Sequence, residues 1–223
     1  MRPPFVIQDQ SVAAGQRAVI DLALPKLNSH TRLSMPVHVV HGKRDGPVLF
    51  VSAAVHGDEL NGVEIIRRLL EVKALRRLTG TLVAVPVVNV YGVIHQSRYL
   101  PDRRDLNRCF PGHASGSLAA RVAHLFVDEV VRHCSHGIDL HTGAIHRTNL
   151  PQIRANLDDP ETERLARAFG VPVLLNSTLR DGSLRASAAE LGMPMLLYEA
   201  GEGLRFDEVA IRAGLNGVLD VMR

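Results

Sequence analysis

Cysteine is nearly absent from this chain. Cys109 and Cys134 are the two found in 223 residues, far apart and in unlike contexts. Their scarcity excludes a disulfide framework and a cysteine-based zinc site and points to a reducing compartment. Aromatic residues are also scarce, at 4% with no tryptophan, and no basic stripe is interleaved with them, so the signature of a nucleic-acid surface is missing. The formal net charge of +3 is mild and fits a small anionic substrate as well as any larger partner. Long apolar runs are lacking too. Met1-Arg2-Pro3-Pro4-Phe5 has no apolar signal core, and the longest stretch, Leu82 to Ile94, is interrupted by Pro86, Asn89 and Gly92, so a soluble, cytoplasmic protein without a membrane partner is expected. No Gly-x-Ser-x-Gly elbow occurs, and Gly201-Glu202-Gly203 is not continued by the third glycine of a nucleotide loop.

What is present is a core-forming composition, 46% apolar, enough for one substantial domain over residues 1–223. Val37 to His41 alternates like a strand, Gly42 to Pro47 reads as a turn, and Val48 to Val55 is a continuous apolar run, the pattern of a fully buried strand. From Leu60 the period changes. Val63, Ile66, Leu69 and Leu70 recur at helical spacing, with Glu64, Arg67, Arg68 and Glu71 on the other face. A second β-branched run, Thr81 to Val88, is followed by a long polar loop from Asn89 to about Gly116, then a helix from about Leu118 to His133 and a strand over Gly137 to Leu140. Apolar pieces at Val171–Leu175 and Met195–Tyr198 alternate with helical segments near Glu161–Phe169 and Ser183–Leu191. Interleaved strands and helices predict an α/β sheet covered on both faces, which binds ligands at the carboxyl ends of its strands.

Candidate chemistry collects at those ends. His56 and Glu59 leave the buried strand together, and His141 ends a later one. Two histidines and one glutamate suit a zinc ion that keeps a further position for water. Taken alone, His56 reads more often as a hydrogen-bonded histidine at a strand end than as a ligand, and Glu59 as a charge favoured by a first helical turn. Gly57 between them can adopt backbone angles that fold the second donor back. Hydrolysis by metal-activated water also needs a proton carrier. Glu199, delivered by Leu196-Leu197-Tyr198 to the same rim, is the candidate, with a structural pairing to an arginine as the bland alternative. The loop from Arg98 to Gly112 concentrates guanidinium groups suited to a carboxylate or a developing oxyanion, although Asp102 and Asp105 can equally pair with those arginines and hold the loop together.

Four segments in order, Val55-His56-Gly57-Asp58-Glu59-Leu60-Asn61-Gly62, Arg98-Tyr99 with Asp105-Leu106-Asn107-Arg108-Cys109-Phe110, Asp139-Leu140-His141-Thr142-Gly143, and Tyr198-Glu199-Ala200-Gly201, resemble the succinylglutamate desuccinylase/aspartoacylase family, relatives of the zinc carboxypeptidases. The resemblance implies a carboxypeptidase-like α/β/α sandwich around a mixed, mostly parallel sheet. It implies one zinc per chain on His56, Glu59 and His141, Glu199 as general base and later acid, Arg98 polarising the scissile carbonyl, and Asn107 with Arg108 holding the substrate's carboxylate. The implied activity is hydrolysis of the amide bond of an N-acyl amino acid. A zinc carboxypeptidase acting on short peptides, or a zinc-binding module that holds an acidic ligand through Arg108 without turnover, are the other readings. The interval from Arg98 to Asn107 is longer than in aspartoacylase itself, which makes Arg103 or Arg104 the alternative at the carbonyl. Family members usually continue into a β-rich C-terminal domain, so a catalytic domain without it is expected here. A homo-oligomer is compatible with the sequence.

Overall fold

A computed structural model describes residues 2–27 and 29–223. A small hairpin of β1 (Phe5–Ile7) and β2 (Gln10–Val12) precedes the main sheet. That sheet is built from β3 (Arg17–Ala23), β4 (Ser34–His41), β5 (Arg44–Ala53), β6 (Thr79–Val85), β7 (His136–Gly143), β8 (Asn149–Ala155), β9 (Val173–Asn176) and β10 (Met195–Glu202), in the spatial order β3-β4-β6-β5-β7-β10-β8-β9. Its centre, β6-β5-β7-β10, is parallel, and antiparallel pairings attach β4 on one side and β8 on the other.

The central strands are apolar in both directions because both faces are covered. Along β5, Phe50 points into one core with Val83 and Val85 of β6, while Leu49 and Val51 point into the other with Leu82 and Ala84. Helices α1 (Asn61–Glu71), α4 (Pro160–Phe169) and α6 (Glu208–Val221) pack on the second face through Ile65, Ile66, Leu69, Leu165, Phe169 and Ile211. On the first face lie α3 (Leu118–Glu129) and α5 (Leu184–Glu190), joined by the short α2 (Val90–Ile94) through Tyr91. The result is the expected three-layer α/β/α sandwich around a mixed sheet. Helix α1 shows why it forms where it does. Its inner side is apolar, and on its outer side Arg67 pairs with Glu64 at 2.6 Å and with Glu71 at 2.9 Å, the i,i+3 and i,i+4 spacing that helix geometry brings together.

Several elements differ from the sequence reading. The chain before Val37 contains three strands, and neither β8 nor α6 was anticipated. The stretch from Asn89 to Gly116 holds α2 and a turn of 3₁₀ helix at Leu106–Arg108. Gly42 to Pro47 is a turn only at its start, since β5 already begins at Arg44. Among the described residues no helix is long and apolar enough to cross a membrane.

Topology locates the site. From β5 the chain runs through α1 to β6 on one side, then returns through α3 on the opposite face to β7 on the other side of β5. Connections that diverge from one strand open a crevice at its carboxyl end. Helix α1 closes down over that crevice. A Cβ on Gly62 would lie 2.7 Å from the Ala53 Cβ and 2.8 Å from the Leu140 Cβ, contacts that no larger residue can make. Gly62→Val is therefore expected to lower stability by about 1–3 kcal/mol through overpacking, seen as a fall of roughly 2–10 °C in thermal melting; an unchanged melting temperature would mean that α1 can lift away without cost.

Candidate metal centre and active site

His56 lies just beyond β5, in a turn closed by the Glu59 amide donating to the His56 carbonyl at 3.1 Å. The turn does not use Gly57 as the sequence reading supposed. Ala54 takes the left-handed backbone conformation, at φ 50°, and Gly57 is not among the positive-φ glycines. What requires glycine at 57 is space: a Cβ there would sit 2.0 Å from the carbonyl carbon of Gly92 and 2.4 Å from the Val93 nitrogen. Helix α2 thus packs its backbone directly onto the turn that presents the two donors.

His56, Glu59 and His141 come together, with donor atoms all within 4.8 Å of one another. Nδ1 of His56 is 2.8 Å from Glu59 Oε1, and Nδ1 of His141 is 2.7 Å from Glu59 Oε2. The far nitrogen of each ring meets a second carboxylate, His56 Nε2 at 3.0 Å from Asp105 and His141 Nε2 at 2.6 Å from Asp139. Ser52 in turn donates to Asp139 at 2.7 Å. Carboxylates at the outer nitrogens fix both rings so that their Nδ1 atoms face inward, the arrangement that orients metal-binding histidines. Two imidazole nitrogens and a carboxylate form a donor set suited to a divalent cation, zinc above all.

Glu199 on β10 is the direct neighbour of His141 in the parallel register and opposes Gln152 of β8. Its carboxylate accepts a hydrogen bond from the Asn149 side chain and lies 3.7 Å from Arg154 Nε. All three donors and Glu199 border one cavity of about 250 Å³. Arg98, Asn107 and Arg108 border it as well, whereas Arg103 and Arg104 do not; Arg104 lies beside Asp102 at 3.9 Å. Arg98 reaches Glu59 at 3.3 Å and Asp105 at 3.0 Å, so Asp105 ties the arginine loop to a metal-site histidine. Asn107 spends its carbonyl oxygen on the Leu184 amide at 2.9 Å, which leaves its NH2 group as the donor available to a ligand.

Sequence reasoning did not assign roles to Asp139, Asn149 or Arg154. Asp139 stands two residues before His141 on one strand, a spacing that puts both side chains on the same face, and that signal was readable. Asn149 and Arg154 belong to β8, which was not recognised as a strand.

Burial and close pairing shift four of the ionisable groups at this centre. Burial favours the neutral form of His141, but Asp139 and Glu59 outweigh it and raise its pKa well above 6.5. His56 is raised in the same way, against burial, by Glu59 and Asp105. Burial would raise Glu59 and Asp105, yet the imidazoles, with Arg98 at Asp105, hold both below the usual carboxylate range. In chelator-treated protein the histidines' contribution to stability is complete below pH 6.5 and is lost as pH rises through their raised pKa values, while that of the carboxylates is present above 4.5 and 3.8 and is lost as pH falls. Melting temperature without metal is expected to be highest between about pH 4.5 and 6.5; a profile that climbs steadily to pH 8 would contradict it. Asp139→Asn is expected to weaken zinc binding about 10–100-fold in a chelator competition, with the fold retained, and full affinity in that variant would detach Asp139 from the metal site.

Residues 45–223 match the family model described as the succinylglutamate desuccinylase/aspartoacylase catalytic domain. The N-alpha-acetyl-L-2,4-diaminobutyric acid deacetylase of Halomonas elongata is 31% identical over 160 residues, covering 68% of this chain and 46% of that protein. The chain therefore spans about half the length of this curated relative. Among solved structures, a succinylglutamate desuccinylase/aspartoacylase from Rhodobacter sphaeroides superposes with a TM-score of 0.82 at 28% identity, over 92% of this chain and 64% of that one. An aspartoacylase family protein from Mesorhizobium loti gives 0.79 at 26% identity, over 97% and 71%. Sequence motifs, sheet order and the family match over most of the chain agree: this chain belongs to the succinylglutamate desuccinylase/aspartoacylase family.

Proposed function

We propose that the chain carries the catalytic centre of a zinc-dependent amidohydrolase that removes the acyl group from a small anionic N-acyl amino acid. The observation that carries this reading is the convergence of His56, Glu59 and His141 beside Glu199 in one arginine-bordered cavity. The deacetylase and desuccinylase/aspartoacylase names of its relatives support it. The two free thiols, Cys109 and Cys134, suit a cytoplasmic setting.

Zinc held by His56, Glu59 and His141 would supply Lewis acidity, lowering the pKa of a water to roughly 7 and polarising the amide carbonyl. The remaining work falls to the chain's own groups. Glu199 takes the proton of the attacking water on a carboxylate oxygen and returns it to the departing amine nitrogen. Asn149 holds that carboxylate through its amide group. Arg98 donates from its guanidinium to the oxygen on which negative charge develops. Arg108 and the NH2 group of Asn107 bind the carboxylate of the amino-acid half, fixing which bond lies beside Glu199.

Glu199→Gln should keep its zinc and lose roughly 10²–10⁴ in kcat, the usual contribution of a general base. Metal analysis beside amine-release assays on N-acetyl and N-succinyl amino acids checks this. Undiminished turnover would remove Glu199 from the mechanism, and faster cleavage of dipeptides than of N-acyl amino acids would make the enzyme a carboxypeptidase.

A further inference from the structure

Asn61, in the motif that runs from Val55 to Gly62, is a buried amide that serves neither the cavity nor its own helix. It is the first residue of α1, is 1% exposed and does not border the cavity. Helix α1 has no side-chain cap. The Asn61 side chain reaches instead past β7 to the end of β10. Its Nδ2 donates to the Ala200 carbonyl at 3.2 Å, and its Oδ1 accepts from the Asp207 amide at 2.9 Å. Both partners are backbone groups of fixed polarity, which a primary amide satisfies together and a carboxylate, with no donor, cannot.

The place of this contact gives it consequence. Strand β10 keeps register with β7 and β8 as far as Glu199, and there both ladders shift, so that Ala200 has a register partner in neither. A buried carbonyl needs a donor, and beside Glu199 that donor comes from Asn61. Gly201 is shaped by the same approach: it takes φ 72°, and a Cβ on it would lie 2.5 Å from Asn61 Nδ2. Farther along, the Leu204 amide donates to the Asp58 carbonyl at 2.7 Å. The turn that carries His56 and Glu59 is thus joined directly to the strand end that carries Glu199, although β7 lies between their strands.

Resting on the reading of Glu199 as the proton carrier of an amide hydrolase, we propose that Asn61 is a positioning residue. Through the Ala200 peptide it sets where the Glu199 carboxylate stands relative to the three metal donors. Asn149 and Arg154 steady that carboxylate from β8, and Asn61 steadies its backbone from α1. Proton transfer requires heavy atoms within about 2.6–3.2 Å, so a strand end free to shift by about 1 Å would remove Glu199 from reach. A tether that only held α1 to the sheet would matter equally whatever residue stood at 199.

The experiment introduces Asn61→Ala into two backgrounds, one with Glu199 intact and one carrying Glu199→Gln. Amine release from N-acetyl and N-succinyl amino acids, zinc affinity by chelator competition and melting temperature are measured for each protein. With Glu199 intact, kcat should fall roughly 10–100-fold, the scale of a small misplacement, while KM and zinc affinity hold. In Glu199→Gln the same substitution should change kcat by less than about 3-fold, the non-additivity of groups that act as one unit. Asn61→Asp retains an acceptor for the Asp207 amide, at a helix start that favours negative charge, but has no donor for Ala200. It should lose kcat in the same pattern, and it carries the test if the alanine variant does not fold. Undiminished kcat, an equal fall in both backgrounds, or zinc affinity falling in step with kcat would overturn the positioning role and leave the hydrolase reading intact. Unfolding of both variants would also overturn it, making Asn61 a structural residue. Absence of hydrolysis in the parent protein with zinc bound would remove both readings.

Discussion

The structure turns on one buried carboxylate. Glu59 is 2% exposed, and an isolated ionised carboxylate at such a depth would cost several kcal/mol in lost hydration. It is kept anionic because an imidazole stands at each of its oxygens, and each imidazole is held by a further carboxylate behind it. The chain of charges alternates in sign from Asp105 through His56, Glu59 and His141 to Asp139. Protons on the two rings satisfy it electrostatically, and so would one divalent cation reached by both Nδ1 atoms and by Glu59. Proton and metal thus compete for the same inward-facing nitrogens, and metal affinity in such a site must depend on pH.

That alternation needs a frame that prevents the rings from turning. His141 and Asp139 lie on β7, in the middle of the sheet, and Ser52 of β5 anchors Asp139 from the neighbouring strand. His56 and Glu59 come from the turn after β5, pinned by the approach of α2 at Gly57 and of α1 at Gly62. Asp105 is held by the Asn107 amide at 2.9 Å and by Arg98. The loop bearing Arg98, Asn107 and Arg108 is therefore coupled to the candidate metal centre twice, through Asp105 at His56 and through the direct approach of Arg98 to Glu59. A change at Asp105 would disturb His56 and Arg98 together.

How much of this was readable from sequence depends on whether a feature is local. His56, Glu59 and His141 were readable as candidates because each ends or closely follows a short continuous apolar run, the mark of a buried strand. Helix α1 was readable from its period alone, since no side chain caps it; at α4 and α5 Asp159 and Ser183 accept hydrogen bonds from the Thr162 and Ala186 amides as N-caps should. Strand β8 was not, because Asn149-Leu150-Pro151-Gln152-Ile153-Arg154-Ala155 is only partly buried and carries a proline. Its identity as a strand comes from pairing with β10 on one side and β9 on the other, a non-local fact. The role of Gly57 was misassigned for a similar reason: the crowding comes from Gly92 and Val93, whose position against the turn no local pattern reveals.

The position of β8 sets one cavity wall apart from the strands that carry the candidate metal donors. The metal donors and Glu199 come from the parallel centre of the sheet, where both faces are buried and any shift of register would disturb two cores at once. Strand β8 instead joins antiparallel to β10, with an irregularity between Glu199 and Gly201, and it brings Asn149 and Arg154 against the carboxylate on β10. The loop after β9 adds Arg180 and the first turn of α5 adds Arg185, held to Asn107 through the Leu184 amide. On this wall Ile153 and Ala155 of β8 pack into the second core, while the Arg185 side chain is bonded to Ser177 and Thr178. Arg154 links the halves, since its guanidinium faces both the ligand space and Glu199. A change of charge at Arg154 would therefore reach Glu199 directly, across 3.7 Å.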